Sequence, residues 1–257
     1  MKKVIGLILF TGLLMLGYAQ EMTNASAINK AGRQRMLSQR MTKDYLLIGA
    51  GIEYESAKKE LDAAVALFER QFLELEDFAP TKEIENGLSK VSDLWMKFRM
   101  KIVSTPDIKD AKAIIKESTV LLGACNDVVK LIESYANVKS AKLVNMSGRQ
   151  RMLSQRTAMF YTAYYWEVPD ADLAKNFDKT MNEFSTALKT LIEAPENTPE
   201  ISKILNKVKS QWDFSKKGFD LDSDNLMPSV VYVTTNSILK KMNKTTGLYQ
   251  KVQEGAN

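Results

Sequence analysis

The sequence predicts an all-α protein of two tandem up-down-up-down four-helix bundles, and three observations support this fold class. First, only 12 of the 257 residues are Gly and only 6 are Pro, a composition that favours helix over strand. Second, residues 32–40 and 148–156 both read GRQRMLSQR, so the chain repeats itself. Third, apolar residues recur at helical spacing in four segments of each repeat, as is typical of bundles with short loops.

Prolines and polar turn residues separate the four helices of the first unit, residues 22–138. We expect these helices over 22–53, 55–78, 82–104 and 107–136. Pro80 and Pro106 interrupt the helical pattern before the third and fourth helices. Thr81 and Asp107 follow these prolines and are predicted N-cap residues, because their side-chain oxygens can accept bonds from free backbone N–H groups.

The second unit, residues 139–257, is predicted to repeat this pattern. Its helices are expected over 140–167, 170–194, 198–217 and 226–252, with breaks at Pro169, 195–199 and 218–225. Residues 230–235 are mostly β-branched and could favour a strand, but the sequence offers no second strand to pair with them. We therefore predict a helix in this segment.

The first 19 residues have the pattern of a secretory signal peptide. Lys2 and Lys3 precede an apolar run over 4–16, and residues 17–19 supply small side chains for cleavage after Ala19. The run is shorter than the roughly 20 residues that span a bilayer, so an uncleaved anchor is the less favoured alternative. We expect a periplasmic protein with no transmembrane segment in the mature chain.

The composition argues against catalysis and metal binding. The chain has no His, which is the commonest general base and metal ligand. Its one Cys, Cys125, lies in an apolar stretch and is predicted to be a core residue. We expect no catalytic residue, no metal and no cofactor, hence not an enzyme. The net charge of +5 comes with scattered lysines, which indicate a solvated surface and no nucleic-acid partner.

The repeated motif consists mostly of Arg, Gln and Ser, and core packing does not explain identical polar residues. The two motifs are 116 residues apart, and Asn29 matches Asn145 at the same offset. We expect Asn126 of the first repeat to correspond to Asn236 of the second. On a helical wheel, Arg35 falls in a stripe of small and polar residues centred on Gly32. A small residue lets another helix approach closely, so a guanidinium in this stripe would lose water and require an anion.

The alternative for these arginines is a solvated face, or ordinary ion pairs with acidic side chains. The motif itself contains no Asp or Glu. Its positive charge must therefore be balanced by an external anion, by a carboxylate from another helix or by water. An arginine fork suits a planar oxyanion because it donates several hydrogen bonds at once.

Residues 28–40, INKAGRQRMLSQR, resemble the start of the PilJ-type domain, the extracytoplasmic N-terminal domain of type IV pilus chemotaxis transducers. They are also similar to periplasmic domains of nitrate/nitrite sensor kinases and nitrate chemoreceptors. The resemblance implies a four-helix bundle. In nitrate-responsive members, nitrate or nitrite lies between the paired first helices of a dimer, held by arginines of both. By position, the central arginine falls on Arg35 and Arg151. The expected ligand-binding residues are Arg35, Arg151, Gly32, Gly148, Gln39, Gln155, Arg33 and Arg149.

Two domains in one chain suggest a built-in pseudo-dimer in which Arg35 faces Arg151 across one anion. Alternatively, since residues 135–143 lack Gly and Pro, the fourth helix could continue and hold the motifs apart. The chain ends at Asn257 without a signalling module, so we expect a periplasmic sensor of a small oxyanion, nitrate or nitrite, that acts through a membrane-bound sensor kinase or chemoreceptor. The alternative is a non-catalytic interaction or structural protein of a type IV pilus or envelope assembly, whose arginine seam binds an acidic partner helix.

Overall fold

The structure is a computed structural model that describes residues 22–137 and 139–255. The predicted signal peptide, residues 1–19, lies outside the described residues. The part that is described contains eight α-helices, one short 3-10 turn at Lys216–Gly218 and no strand, which confirms the all-α fold class.

Each predicted helix has a counterpart with similar ends. The helices are α1 Asn24–Gly49, α2 Tyr54–Phe78, α3 Lys82–Ile102, α4 Ile108–Ala136, α5 Lys139–Tyr165, α6 Leu173–Ile192, α7 Pro199–Ser215 and α8 Pro228–Gly255. The β-branched segment 230–235 lies in α8, so the helix predicted there is confirmed. Cys125 is buried in the core, as expected.

Polar side chains cap several helix starts. The hydroxyl of Thr81 accepts a hydrogen bond from the backbone N–H of Ile84, and the Asp107 carboxylate accepts one from that of Lys109. These bonds satisfy donors that have no partner within the helix. Both predicted N-caps are confirmed.

The junction between the two repeats is a turn at Asn137, which follows α4. Asn137 adopts the left-handed conformation with φ of 47°, and its N–H donates to the carbonyl of Glu133. Asn is one of the few residues besides Gly that enter this region readily. The alternative of a continuous helix through residues 135–143 is therefore wrong, because α4 ends at Ala136.

The two motif helices, α1 and α5, lie side by side at the centre of the molecule. In the first repeat α1 packs against α2 and α4, and in the second α5 packs against α6 and α8. The most extensive helix contact joins α1 to α5. It runs from Asn29 and Asn145 at one end to Gly49 and Trp166 at the other, so the two helices are parallel.

The cores of the two repeats use equivalent aromatic pairs. The ring centroids of Phe68 and Trp95 are 4.1 Å apart, and those of Phe184 and Trp212 are also 4.1 Å apart. Among residues 22–137 and 139–255, no helix has the length and apolar character needed to cross a membrane.

Candidate ligand-binding site

The central arginines of the two motifs are buried between α1 and α5. Arg35 is 2% exposed and Arg151 is 0% exposed, although a guanidinium is among the costliest groups to remove from water. Both project from the small-residue stripe that brings their helices together. The fold thus holds two positive charges in its interior.

Each guanidinium is held by asparagines, and one of these belongs to the other repeat. Arg35 Nη1 donates to Asn126 Oδ1 over 2.8 Å, within the first repeat. Its Nη2 donates to Asn145 Oδ1 over 2.8 Å and to the Asn145 carbonyl over 3.3 Å. Because Asn145 lies on α5, the bonds of Arg35 link the two repeats.

Arg151 on α5 is held in a similar way, by an asparagine on α1 and one on α8. Its Nη1 donates to Asn29 Oδ1 on α1 over 2.8 Å and to Asn243 Oδ1 on α8 over 3.3 Å, and its Nη2 donates to the Asn29 carbonyl over 3.2 Å. Asn243, and not Asn236, is therefore the counterpart of Asn126. The assignment to Asn236 is wrong because α8 keeps an offset of 117 from α4, which brings a different asparagine to the arginine.

Two glycines let the guanidinium groups approach the opposite helix. A Cβ atom on Gly32 would lie 3.2 Å from Arg35 Nη2 and 3.5 Å from Arg151 Nη2. On Gly148 it would lie 3.0 Å from Arg151 Nη2 and 3.6 Å from Arg35 Nη2. The two Nη2 nitrogens therefore converge on one small region that only a residue without a Cβ leaves open.

Within the described residues, neither Arg35 nor Arg151 forms an ion pair. Burial, followed by the positive charge of Arg149, lowers the pKa of Arg35 to about 10. Burial, followed by the charges of Arg33 and Arg35, lowers the pKa of Arg151 well below its ordinary value. Since arginine stays protonated in proteins, these shifts mean that the charged forms are destabilised here.

The Nε–H groups of both arginines are also buried without a hydrogen-bond partner. An unpaired buried donor costs about 1–3 kcal/mol, and more when it is charged. The site therefore combines excess positive charge with unused donors, an arrangement that favours an oxyanion. Among the described side chains, no three of the types His, Cys, Asp and Glu are grouped to hold a metal ion.

The structure brings together four of the eight expected ligand-binding residues, namely Arg35, Arg151, Gly32 and Gly148. Gln39 and Gln155 lie elsewhere in the seam. Gln39 Nε2 donates to the carbonyl of Ser118, and Gln155 Oε1 accepts from Lys43 Nζ over 3.1 Å.

The two remaining arginines of the expected set are less buried than Arg35 and Arg151. Arg149 has a side chain 49% exposed and pairs with Glu183 at 2.8 Å. Arg33 is partly buried, and its charged neighbours are Glu74 and Arg70.

No function was predicted from the sequence for the asparagines of this site. Asn29 and Asn145 recur at the same offset as the arginines, and this was the signal that could have identified them. Asn126 and Asn243 recur at 117. An amide that repeats in step with a buried arginine is a candidate partner for it, because Asn accepts a hydrogen bond without adding charge.

A second buried polar cluster lies further along the α1–α5 seam, and the sequence did not predict it. Lys43 Nζ lies 2.9 Å from Glu60 Oε2, 3.0 Å from Asp44 Oδ1 and 3.3 Å from Asn236 Oδ1. Lys43 and Asp44 are both fully buried. The second repeat has Met159 and Phe160 at the matching positions, so Lys43 and Asp44 have no charged counterparts there.

The pKa values of the two carboxyls in this cluster are shifted in opposite directions. Burial raises the pKa of Asp44 to about 7 despite the nearby charge of Lys43. Burial also acts to raise the pKa of Glu60, but the charges of Lys43 and Arg40 outweigh it and lower the pKa to about 2. Glu60 further accepts hydrogen bonds from Tyr232 on α8 and from Asn236. Asp44 is fully buried, whereas Glu60 is partly exposed and accepts these additional bonds, so burial dominates only at Asp44.

Comparison with known proteins agrees with the repeat. The family model described as "Type IV pili methyl-accepting chemotaxis transducer N-term", or PilJ, matches residues 18–117 and 135–229. The chain is 31% identical over 133 residues to the methyl-accepting chemotaxis protein McpN of Pseudomonas aeruginosa. The matched stretch covers 47% of this chain and 24% of that relative. No solved structure matches the chain.

Proposed function

The chain belongs to the PilJ family and carries two tandem copies of its domain. We propose that it is a sensory module for a small oxyanion. Nitrate or nitrite is the proposed ligand. It is held between Arg35 and Arg151, with Gly32 and Gly148 leaving room for it. Anion binding then reports to a membrane-bound chemotaxis receptor or sensor kinase.

The observation that carries this proposal is the convergence of two buried guanidinium groups on one region. Both are held by neutral asparagines, and both keep an unpaired buried Nε–H. Without an added negative charge, the two like charges repel each other in a medium of low dielectric constant. An anion between them would add two attractions that outweigh this repulsion.

The close spacing of the guanidinium nitrogens around the two glycines favours a small planar anion. Atoms at the Cβ positions of the two glycines would already come within 3.0–3.6 Å of the guanidinium nitrogens. A trigonal oxyanion offers in-plane oxygens that match the planar donor fork of arginine. Larger organic acids would have to push α1 and α5 apart.

The link to chemotaxis rests on family membership. The similar protein McpN is a methyl-accepting chemotaxis protein of which this chain matches about a quarter. By analogy, we infer a periplasmic location and a membrane-bound signalling partner. Ligand binding at the α1–α5 contact could reach such a partner, because a change in the packing of two parallel helices moves their ends.

The alternative, in which an acidic helix of a pilus or envelope protein binds the arginine seam, is harder to reconcile with the burial of the site. Arg35 and Arg151 are 2% and 0% exposed. A helix with its side chains is about 10 Å across, so it could reach them only by separating α1 from α5. The exposed Arg149 is open to such a partner, but it already pairs with Glu183.

Isothermal titration of the mature chain with nitrate, nitrite, sulfate and phosphate tests the proposal. The buffer should be chloride-free HEPES, so that no small anion competes. We expect saturable binding of nitrate or nitrite with one anion per chain. The absence of binding heat for all four anions, confirmed by unchanged melting temperatures, would refute the sensory function proposed for this site.

A further inference from the structure

The residues of the hydrogen-bond network at the arginine site are equivalent in the two halves except at one position. Asn145 Nδ2 donates to Glu133 Oε2 on α4 over 2.6 Å. In the other half, Asn29 Nδ2 donates to Gln250 Oε1 on α8 over 2.8 Å. Glu133 and Gln250 are related by the same offset of 117 as Asn126 and Asn243. At this position the asparagine therefore donates to a carboxylate in one half and to a neutral amide in the other.

The carboxylate of Glu133 is coupled to Arg35 through a single amide. Asn145 accepts from Arg35 at Oδ1 and donates to Glu133 at Nδ2, so the amide is polarised from both ends. The negative charge of Glu133 also acts to raise the pKa of Arg35, against the effect of burial. Glu133 thus offsets part of the positive charge of the site without contacting a guanidinium.

Among the residues that the structure describes, the other half has no equivalent charge at this distance. Gln250 Nε2 donates onward to Glu254 Oε1 over 3.1 Å, but Glu254 is exposed and one hydrogen bond farther away. Arg33 and Arg149, the next arginines, have acidic neighbours of their own in Glu74 and Glu183.

We propose that Glu133 is a specificity-determining residue that makes the site select singly charged oxyanions over doubly charged ones. This inference rests on the proposed function. Two buried guanidinium groups and the half-buried carboxylate of Glu133 give the network a net charge of +1, which one nitrate or nitrite neutralises. Sulfate, or hydrogen phosphate in its doubly charged form, would leave an uncompensated negative charge in the interior, which is costly.

Two reciprocal substitutions, both nearly isosteric, test this. Glu133→Gln gives the first half the residue that the second half carries, and it raises the network charge to +2. We expect the preference for nitrate over sulfate, measured as a ratio of Kd values, to fall at least about tenfold, which corresponds to about 1.4 kcal/mol. Gln250→Glu adds a second carboxylate and brings the charge to zero. We expect nitrate affinity to fall at least about tenfold.

Glu117→Gln is the matched control, because Glu117 lies on the same helix but pairs with the exposed Lys101. It should leave both affinities unchanged. If wild type binds nitrate and Glu133→Gln keeps the wild-type preference, Glu133 does not determine selectivity, while the sensory function stands. A wild-type protein that prefers sulfate would equally overturn the selectivity. If wild type binds none of the four anions, the proposed function itself fails. Melting temperatures of all variants report whether they fold.

Discussion

The Nη2 nitrogens of Arg35 and Arg151 lie 3.6 and 3.0 Å from a single point, the position that a Cβ atom would take on Gly148. The two side chains come from different repeats, and each is held by an asparagine on the other's helix. Their orientation therefore depends on the α1–α5 contact and exists before any ligand arrives. A site that is already oriented spends little binding energy on reorganisation.

If Arg35 and Arg151 share one site, each of them is required for nitrate binding. Arg35→Met and Arg151→Met keep much of the side-chain volume and remove the charge. We expect each single variant to lose all nitrate-dependent stabilisation, since the remaining guanidinium cannot enclose the anion. The wild type should gain about 2.7 kcal/mol at a ligand concentration of 100 times Kd. Thermal unfolding with and without nitrate measures this gain.

The control for the arginine variants is Arg99→Met, because Arg99 lies on α3, is half exposed and pairs with Glu69. It should retain the full nitrate effect. Two independent sites would give a different result, namely half the binding stoichiometry in each single variant. That stoichiometry would contradict the shared site.

Helical periodicity was enough to predict most of the fold. The eight helices of the described residues follow from apolar spacing and from polar or proline breaks. Segment 230–235 is helical, as predicted from a sequence that offers no second strand to pair with it. The junction was harder to predict. The break depends on the left-handed conformation of Asn137. Other asparagines of this chain, such as Asn126 and Asn145, lie inside helices, so an Asn alone does not indicate a turn.

The site was predictable only in part, because only residues that recur in both repeats could be identified from the sequence. The identity of the two polar motifs indicated Arg35, Arg151 and their glycines, because those residues recur at one offset. The cluster of Lys43 and Asp44 has no counterpart in the second repeat, so repetition could not reveal it. Asn243 was missed because it comes to Arg151 through the packing of α8 on α5, which a wheel of one helix does not describe.

The glycines of the motif predict a steric test of the site. Gly32→Ala and Gly148→Ala would place a Cβ 3.2 and 3.0 Å from the nearest guanidinium nitrogen. The guanidinium must shift, so nitrate affinity should fall about tenfold or more, equivalent to at least about 1.4 kcal/mol. Gly123→Ala is the matched control, since nothing lies within 4 Å of its Cβ position. It should leave affinity unchanged and stabilise α4 by up to about 1 kcal/mol. Equal affinities in all three variants would speak against crowding at the guanidinium groups.

The far end of the α1–α5 contact is also closely packed. A Cβ on Gly49 would lie 2.2 Å from Cη2 of Trp166, closer than any two such atoms can approach. We expect Gly49→Ala to lower the free energy of unfolding by about 1–3 kcal/mol, the usual cost of overpacking. Chemical denaturation of Gly49→Ala and of Gly123→Ala measures the difference. A gain in stability for Gly49→Ala would mean that Trp166 does not pack against α1 as described.

The buried carboxyl of Asp44 predicts a specific pH dependence of stability. An Asp in an unfolded chain titrates near 3.9, whereas burial raises the pKa of Asp44 to about 7 in the folded protein. Between these two values the folded protein keeps a proton that the unfolded chain has released, so the free energy of unfolding decreases as pH rises. The lowered pKa of Glu60 has the opposite effect, but mainly below pH 4.5. The chain has no His that would titrate between pH 5 and 8.

Asp44→Asn removes this titration and keeps the shape of the side chain. We expect the variant to melt at increasingly higher temperature than wild type as pH rises from 5 to 8. At pH 8 the gain should be on the order of 2 kcal/mol, or roughly 4–8 °C. Asp62→Asn, an exposed Asp on α2, is the control and should follow wild type at every pH. A constant offset between Asp44→Asn and wild type across this range would mean that Asp44 is already ionised at pH 5. Lys43 would then stabilise the Asp44 carboxylate more strongly than burial destabilises it.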